Sequence, residues 1–516
     1  MSSNFKKKLE KRKGLFKKKN SEDSSRSKRN KVNISISKKK RESRLMKRRN
    51  IQSTEEIPEI QDFNNIIKGT KSKNMDQIVE CVQQIRILLS QNSEPPIDLV
   101  LKSGVIPTFV EMLSQKENSF LTFETAWIFS NICSGTHAQT KSVVDHGVIP
   151  IFIELLDSKD LPIVEQSIWG LGNISGDCDE YRLLILDNKI VIPKLISVFN
   201  RYPITLEIIK LAVWTLSGLF KNSPPLAPKL CQLVFPIFST YLQDPKEELL
   251  VDSCWGMSYI CHDPVNIEQL ISGDCIPRLI QLLEKDDDEI IISSIRILSS
   301  VMGGTNKQTE HVLQAGILKP LKKLMQSTHI RIVKEACFAL SNITAGTEDQ
   351  IQLIIDEELI PEIIDLLSNK NPKISREACW IMCNAINGGN TEQIEIFIKA
   401  KIIEKLCVFL LSDEILVVKI VLEAYHKMLN VGVEISIQRE EEENIVAEKM
   451  DELDISSLIE KISRSKKDKI SKIAQTIQNH FFYFDDDDDD QDYYQDYDQD
   501  YDQDYDQDYD QESISD

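Results

Sequence analysis

The chain has 516 residues, 41% of them apolar, which is enough to bury a large core and implies several domains or one array of repeats. Only 7% of the residues are aromatic, and glycine and proline number 18 each, so the composition favours helices over a β-sandwich or barrel. The N-terminus is too highly charged for a secretory signal, and no apolar run reaches the roughly 18 residues of a membrane span. We therefore expect an all-α, soluble, intracellular protein without membrane insertion.

The first element is a basic arm at residues 1–50, which contains 21 Lys and Arg against 4 acidic residues. So many charges with few large apolar side chains predict a segment that folds only on binding. A basic arm usually has a partner of opposite charge. Stretches rich in Lys and Arg can also bind phosphates without sequence specificity, so a nucleic-acid contact or a plain localisation signal stays open as an alternative, although we expect no nucleic-acid partner.

After a linker at residues 51–72, a repeat organises residues 73–484. The tryptophans share one register, which Arg296, Phe338 and Tyr425 continue: Trp127, Trp169, Trp214, Trp255 and Trp380. Prolines form a second series with the same period, each expected in the first turn of a helix: Pro107, Pro150, Pro193, Pro236, Pro277 and Pro361. Gly104 and Gly147 precede two of these prolines and allow a sharp bend between helices. The pattern predicts an all-α, right-handed superhelical armadillo-repeat solenoid of about ten repeats.

A second position recurs four residues after the aromatic one, on the same helix face. It holds Asn131, Asn173, Asn342 and Asn384. Asparagine is a mediocre helix former, and its amide can bond both backbone groups of an extended peptide. Tryptophans in a row can hold the alkyl stems of Lys or Arg, and Asp177, Asp252, Glu335 and Glu377 could receive the charged heads. The pattern predicts a groove for a basic peptide; the alternative is that Trp and Asn serve only packing and capping.

Catalytic and metal-binding patterns do not emerge from the sequence. The eleven cysteines stand singly in apolar helical patterns, without C-x-x-C pairs, and indicate buried free thiols in a reducing compartment. None of the seven histidines has a defensible metal or triad spacing, and there is no glycine-rich phosphate loop. We expect neither an enzyme nor a cofactor nor a metal.

Several segments resemble importin alpha, over nearly the whole chain. Residues 12–50, ending in LMKRRN at 45–50, resemble that family's importin-beta-binding domain. Residues 130–136 (SNICSGT), the Gln-Thr pair at 139–140, and residues 172–177 (GNISGD) resemble its peptide-site motifs. The resemblance implies a nuclear-import adaptor that binds basic localisation signals of cargo and links them to importin beta.

The resemblance also implies two peptide sites. The major site comprises Trp127, Asn131, Ser134, Gly135, Thr140, Gln166, Trp169, Asn173, Asp177, Trp214, Asp252 and Trp255, with Gly135, Thr140 and Asp177 forming the pocket for a key lysine. The minor site comprises Gly304, Thr309, Glu335, Phe338, Asn342, Glu377, Trp380 and Asn384, and the family's arginine between the sites corresponds to Arg296. The chain departs from the family at Gly218, Ser300 and Phe338, so we expect a weaker minor site and cargo that depends chiefly on the major one.

The resemblance assigns partners as well. Importin beta would bind residues 1–50, an exporter would recycle the protein, and the adaptor would shuttle between cytoplasm and nucleus through the nuclear pore. Lys47, Arg48 and Arg49 look like a cargo signal and could occupy the chain's own groove, which makes autoinhibition a hypothesis. The tail at residues 485–516 carries 17 acidic residues and no basic ones, and we expect it to be disordered and solubilising. An armadillo scaffold of the cytoskeletal or adhesion kind is the rival function.

Overall fold

In the computed structural model of the protein, residues 63–482 are described, apart from 91–94, 116–117, 202, 222–225, 245, 442 and 466–467. The basic arm and the acidic tail lie outside the described residues. Within the described part, all regular secondary structure is helical, as the composition predicts. No helix there is both long and apolar enough to span a bilayer. The chain divides into two compact units, Met1–Ala400 and Lys401–Asp516.

The first unit is built of groups of two short helices followed by a long one. Its helices are α1 (Phe63–Gly69), α2 (Met75–Leu89), α3 (Ile97–Lys102), α4 (Ile106–Ser114), α5 (Ser119–Cys133), α6 (His137–Val144), α7 (Val148–Leu155), α8 (Leu161–Ser175), α9 (Asp179–Asp187), α10 (Val191–Val198), α11 (Leu206–Leu219), α12 (Pro228–Leu242), α13 (Glu247–Ile260), α14 (Pro264–Ser272), α15 (Cys275–Leu282), α16 (Asp288–Met302), α17 (Asn306–Gln314), α18 (Leu318–Met325), α19 (Ile330–Thr344), α20 (Glu348–Asp356), α21 (Ile360–Leu367), α22 (Pro372–Gly388) and α23 (Thr391–Lys399). Helix α1 lies inside the segment that the sequence assigns to a linker.

The long third helices form the spine of this unit. Helices α2, α5, α8, α11, α13, α16, α19 and α22 each pack against the next. A helix with neighbours on several sides is apolar around most of its circumference, and α8 accordingly buries 11 of its 15 residues. Stacking one repeat on the next therefore places equivalent residues of consecutive third helices side by side, which sets the spacing of any groove along them.

The bends between the first and second helices follow the glycine prediction. Gly104 and Gly147 adopt φ angles of 67° and 75°, in the left-handed region that glycine enters without steric penalty. Asp274 and Glu358 stand at the same place, three residues before a proline, with φ 54° each. Glycine and non-glycine residues thus make the same left-handed bend in these four repeats, and the non-glycine residues accept strain to do so.

The proline series is confirmed at five positions and wrong at one. Prolines lie in the first turn of α4, α7, α10, α15 and α21. Pro236 instead lies inside α12, a single helix that begins at Pro228 and replaces the two short helices of that repeat. The residue three positions earlier is Leu233, and the helix runs through it without a bend.

Replacing Gly147 with alanine should lower the free energy of unfolding by about 1–2 kcal/mol. A methyl group there meets no atom within 4 Å, so the effect isolates the cost of the left-handed backbone. Urea unfolding of the two proteins measures it. Glu358→Gly is the matched control, because it relieves the same strain and should shift the midpoint in the opposite direction. A loss in both variants would contradict this account.

The second unit begins with α24 (Ile402–Leu406) and a 3-10 helix (Cys407–Leu411), and continues with α25 (Ile415–Gln438), α26 (Ile445–Glu452), α27 (Ile455–Ser463) and α28 (Asp468–Phe481). The long helix α25 packs against α26 and α28. Tyr425, which continues the tryptophan register, is fully buried here, and its hydroxyl donates to the Ile403 carbonyl at 2.8 Å. At this position of the register, the aromatic side chain thus packs in the core.

The cysteines are free thiols, and nine of the eleven are buried. Burial raises the pKa of the Cys254 thiol to about 12, so it stays protonated near neutral pH. The two partly exposed thiols are Cys178 and Cys407, one in each unit. Of the eleven cysteines, these two are therefore the ones that a ligand can reach most easily.

Candidate binding groove

The aromatic residues of the predicted groove differ in exposure. Four of them are partly exposed: Trp127, Trp169, Phe338 and Trp380. Trp214 and Trp255 are only 2% and 8% exposed, and Trp214 packs so tightly against Gly172 that a methyl group there has no room. The accessible aromatic surface therefore consists of one pair on α5 and α8 and a second pair on α19 and α22. Each pair lies within one predicted site, whereas Trp214 and Trp255, which the prediction also placed in the major site, are buried.

All four predicted asparagines are buried, and each joins its helix to the third helix of the preceding repeat. Their Nδ2 atoms donate to Leu89 O and Ser90 Oγ (Asn131), to Ser130 O at 2.8 Å (Asn173), to Ser299 O at 3.0 Å (Asn342) and to Ser341 O at 3.0 Å (Asn384). The asparagines therefore have a structural role, of the kind that the sequence left open as the alternative to a peptide groove. Their contact with a peptide backbone stays a prediction.

The asparagine ladder is interrupted in the middle of the first unit. Gly218, Tyr259 and Ser300 occupy its register on α11, α13 and α16. The Ser300 hydroxyl donates to the Arg296 carbonyl within its own helix at 3.0 Å. Gly218 has no side chain to reach the preceding repeat. The departures noted in the sequence thus remove inter-repeat hydrogen bonds as well as the predicted peptide clamps.

Gly135 and Thr140 lie where α5 turns into α6. Thr136 and Gln139 form a capping box there, and the Gln139 side chain fills the space that a side chain at Gly135 would need. Thr140 is buried, and its hydroxyl donates to the Cys133 carbonyl at 3.2 Å. The minor site repeats this arrangement at Gly304, Thr305, Gln308 and Thr309. The two predicted sites thus share one local backbone design.

Asp177, predicted to receive a cargo lysine, is held by a histidine. Its Oδ2 lies 2.5 Å from His137 Nδ1, and the carboxylate side chain is 3% exposed while the imidazole is 59% exposed. The His137 ring stacks on Tyr181, with centroids 5.5 Å apart and an interplanar angle of 14°. The imidazole therefore occupies one oxygen of this carboxylate.

One of the chain's own arginines makes the contacts that are predicted for a peptide cation, with a tryptophan ring and a carboxylate. Arg86 stands at the aromatic register of α2, one repeat before Trp127, and its guanidinium carbon lies 4.6 Å from the centre of the Trp127 ring. Its Nε donates to Glu124 Oε2 at 2.9 Å, and both side chains are 3% exposed. A tryptophan and a carboxylate three residues before it thus bind a guanidinium together.

A second arginine, between the two predicted sites, contacts a tryptophan of the preceding repeat and a glutamate of the following one. The Arg296 guanidinium lies 5.1 Å from the centre of the Trp255 ring, and its Nη2 donates to Glu335 Oε1 at 2.7 Å. Glu335 precedes the aromatic register of its helix by three residues, as Glu124 does. Glu335, predicted to receive a peptide cation, therefore already pairs with Arg296, and the two exposed aromatic pairs are separated by this ion pair.

The remaining predicted residues lie on the same third helices or at their ends. The Ser134 hydroxyl donates to the Asn131 carbonyl, and Gln166 is buried and accepts a hydrogen bond from Ser130 at 3.1 Å. Asp252 is partly exposed and Glu377 is 7% exposed. Asp252 is therefore more accessible to a ligand than Glu377.

Sequence reasoning missed His137 and Arg86. His137 lies 40 residues from Asp177, close to one repeat period, so the spacing alone brings them side by side. Arg86 stands 41 residues before Trp127, but an arginine does not reveal an aromatic register. Searching each repeat for residues one period away from a predicted site residue would have found both.

Comparison with known families supports the repeat assignment. The profile of the armadillo/beta-catenin-like repeat matches residues 93–134, 136–176, 305–345 and 347–385, which are the repeats that carry the four asparagines. The profile of the importin beta binding domain matches residues 12–91.

Curated relatives are importin alpha subunits. Importin subunit alpha-5 of Arabidopsis thaliana is 37% identical over 259 residues, covering 48% of this chain and 50% of that protein. Importin subunit alpha-1a of Oryza sativa subsp. japonica is 31% identical over 305 residues, 57% of each chain. The chain thus spans about half the length of the curated relatives it matches.

Among solved structures, the crystal structure of an engineered protein matches 81% of this chain and 98% of its own, with a TM-score of 0.67 at 21% identity. That likeness concerns the fold alone. Together with the repeat profile, it confirms the helical armadillo class.

Proposed function

Because this chain belongs to the importin alpha family, we propose that it is a nuclear-import adaptor whose groove binds the basic localisation signals of cargo proteins. It is a binding protein without catalytic activity. Trp127, Trp169 and their neighbours form the major site, and Phe338 and Trp380 the minor one. The proposal fits a protein that shuttles between cytoplasm and nucleus.

The observation that carries this proposal is the pair of internal arginines. The Arg86 guanidinium lies over a tryptophan and against a glutamate of the next third helix. The Arg296 guanidinium lies over a tryptophan of the preceding third helix and against a glutamate of the next one. A basic peptide needs the same two elements, an aromatic face and a carboxylate. A well-placed cation gains about 0.5–2 kcal/mol from the ring, so several slots in series supply useful affinity. A groove of this chemistry suits a cationic ligand better than an acidic one.

The partners follow from the same reasoning. Residues 12–91 match the importin beta binding domain, and the basic arm within them would bind importin beta. Lys47, Arg48 and Arg49 lie outside the described residues; they would compete with cargo for the groove until importin beta withdraws the arm. An exporter would return the empty adaptor, and transit would pass through the nuclear pore.

Titration of a fluorescent lysine-rich peptide tests the proposal. Asp177→Lys should weaken binding at least about tenfold, since it replaces an attractive carboxylate with a like charge, a difference of roughly 1.4 kcal/mol or more. Asp160→Lys is the matched control, because Asp160 is exposed and makes no side-chain cap at the start of α8. Equal binding by both variants, or a preference of the wild type for an acidic peptide, would favour a scaffold of another kind.

A further inference from the structure

We propose that His137, Asp177 and Cys178 form a binding site for a zinc-like divalent cation at the edge of the groove, and that the bound ion competes with a cargo lysine for Asp177. The three residues place a ring nitrogen, a carboxylate oxygen and a sulfur within 4.8 Å of one another. The competition rests on the proposed function. The cation site does not.

The donor set is suited to zinc. Zinc binds imidazole nitrogen, carboxylate oxygen and thiolate sulfur, and three protein ligands leave a fourth position for water. The ligands come from two consecutive repeats, since His137 begins α6 and the Asp177–Cys178 pair precedes α9. Packing of one repeat on the next fixes the distance between them, so much of the site exists before the ion arrives.

The geometry requires only a small movement. Two ligands of one tetrahedral zinc ion at about 2.0–2.2 Å stand roughly 3.3 Å apart. His137 Nδ1 and Asp177 Oδ2 are 2.5 Å apart, so the ring must withdraw by slightly less than about 1 Å. The imidazole is 59% exposed and can turn, while its stacking on Tyr181 limits the directions in which it moves.

The charges around the three ligands affect how favourably a cation binds there. Glu180 lies in the first turn of α9 beside Asp179, whose carboxylate pairs with Arg182 at 3.3 Å, and the nearby Lys141 pairs with Asp145 at 3.1 Å. Burial raises the pKa of the Cys178 thiol, whereas backbone hydrogen bonds from Tyr181 and Glu180 lower it. The ion replaces the proton of the Cys178 thiol, so binding releases a proton.

In the groove, the metal ion and a cargo lysine would both bind the Asp177 carboxylate. A carboxylate oxygen that coordinates the ion, next to a divalent positive charge, repels an ammonium group. Metal and lysine would therefore exclude one another at Asp177. The same ion would hold His137 over the pocket, closing it to a peptide.

Cobalt spectroscopy of the full-length reduced chain tests the cation site. Co²⁺ bound to a thiolate gives a sulfur-to-metal charge-transfer band in the near ultraviolet, which the aspartates of the tail cannot produce. We expect the band in the wild type and in Cys407→Ser, its loss in Cys178→Ser, and its displacement by Zn²⁺. Cys407 is the matched control, being the other partly exposed cysteine. Absence of the band, or a band that survives Cys178→Ser, would overturn the site.

Peptide titration with and without saturating Zn²⁺ tests the competition. Affinity for a lysine-rich peptide should fall about fivefold or more in the wild type and in Cys407→Ser, but not in Cys178→Ser. If Zn²⁺ leaves the peptide affinity of the wild type unchanged, the proposed competition is overturned. The cobalt band then decides whether the cation site exists. If the peptide fails to bind even without metal, the proposed function and the competition both fail. The cobalt band still decides separately whether the cation site exists.

Discussion

Replacing Arg86 with alanine should lower the free energy of unfolding by about 3–5 kcal/mol, because it removes one partner of a buried ion pair. The Arg86 and Glu124 side chains are each 3% exposed, and their contact at 2.9 Å joins α2 to α5. The substitution also removes the guanidinium from the face of Trp127. Urea unfolding followed by circular dichroism measures the loss.

Two further variants separate the buried pair from simple loss of charge. Lys141→Ala removes an exposed cation whose partner, Asp145, is equally exposed, and should change stability by less than about 1 kcal/mol. The double variant Arg86→Met, Glu124→Leu removes both charges together and should recover most of the stability. If Arg86→Ala is no worse than Lys141→Ala, the ion pair does not stabilise the first repeats.

The repeat could be predicted because it depends on residues whose local role is nearly fixed. Proline in a first turn and glycine at a left-handed bend act through the backbone, so their spacing alone gives the helix boundaries at Gly104 and Gly147. Pro236 failed as a boundary because proline permits a helix start without requiring one. Leu233 did not reveal the continuous helix either, because Ile190 stands at the same place before Pro193 and two helices form there.

The candidate groove was less predictable because an amide or a charge takes whichever partner lies near. Asn173 was correctly singled out as an unusual helix residue, but its amide reaches the Ser130 carbonyl of the preceding repeat at 2.8 Å. Glu335 was expected to await a peptide cation, and Arg296 already holds it. A period places equivalent positions side by side, but the choice between internal partner and ligand depends on distances that a single sequence does not contain.

The second unit should lose stability as the pH falls from about 6.5 to about 4, because the partly buried His426 is held in its neutral form. Burial, and secondarily the nearby His480, lower the pKa of His426 to about 4. The unfolded chain therefore binds more protons than the folded chain within this window. The stability is fully present above the unfolded pKa of about 6.5 and decreases below it, by about 3 kcal/mol for a shift of this size.

Hydrogen exchange of α25, resolved by mass spectrometry at pH 7.5 and 4.5 and corrected for the intrinsic exchange rate, reports this change within the full chain. His426→Phe keeps an aromatic ring against Phe481, whose centre lies 5.9 Å from that of His426, and removes the titrating nitrogen. The variant should retain only the pH dependence of the remaining groups, so the difference from the wild type isolates His426. His480→Gln should reduce that difference slightly, since His480 is the lesser cause. An identical pH dependence in wild type and His426→Phe would show that the imidazole is not the group whose burial opposes protonation.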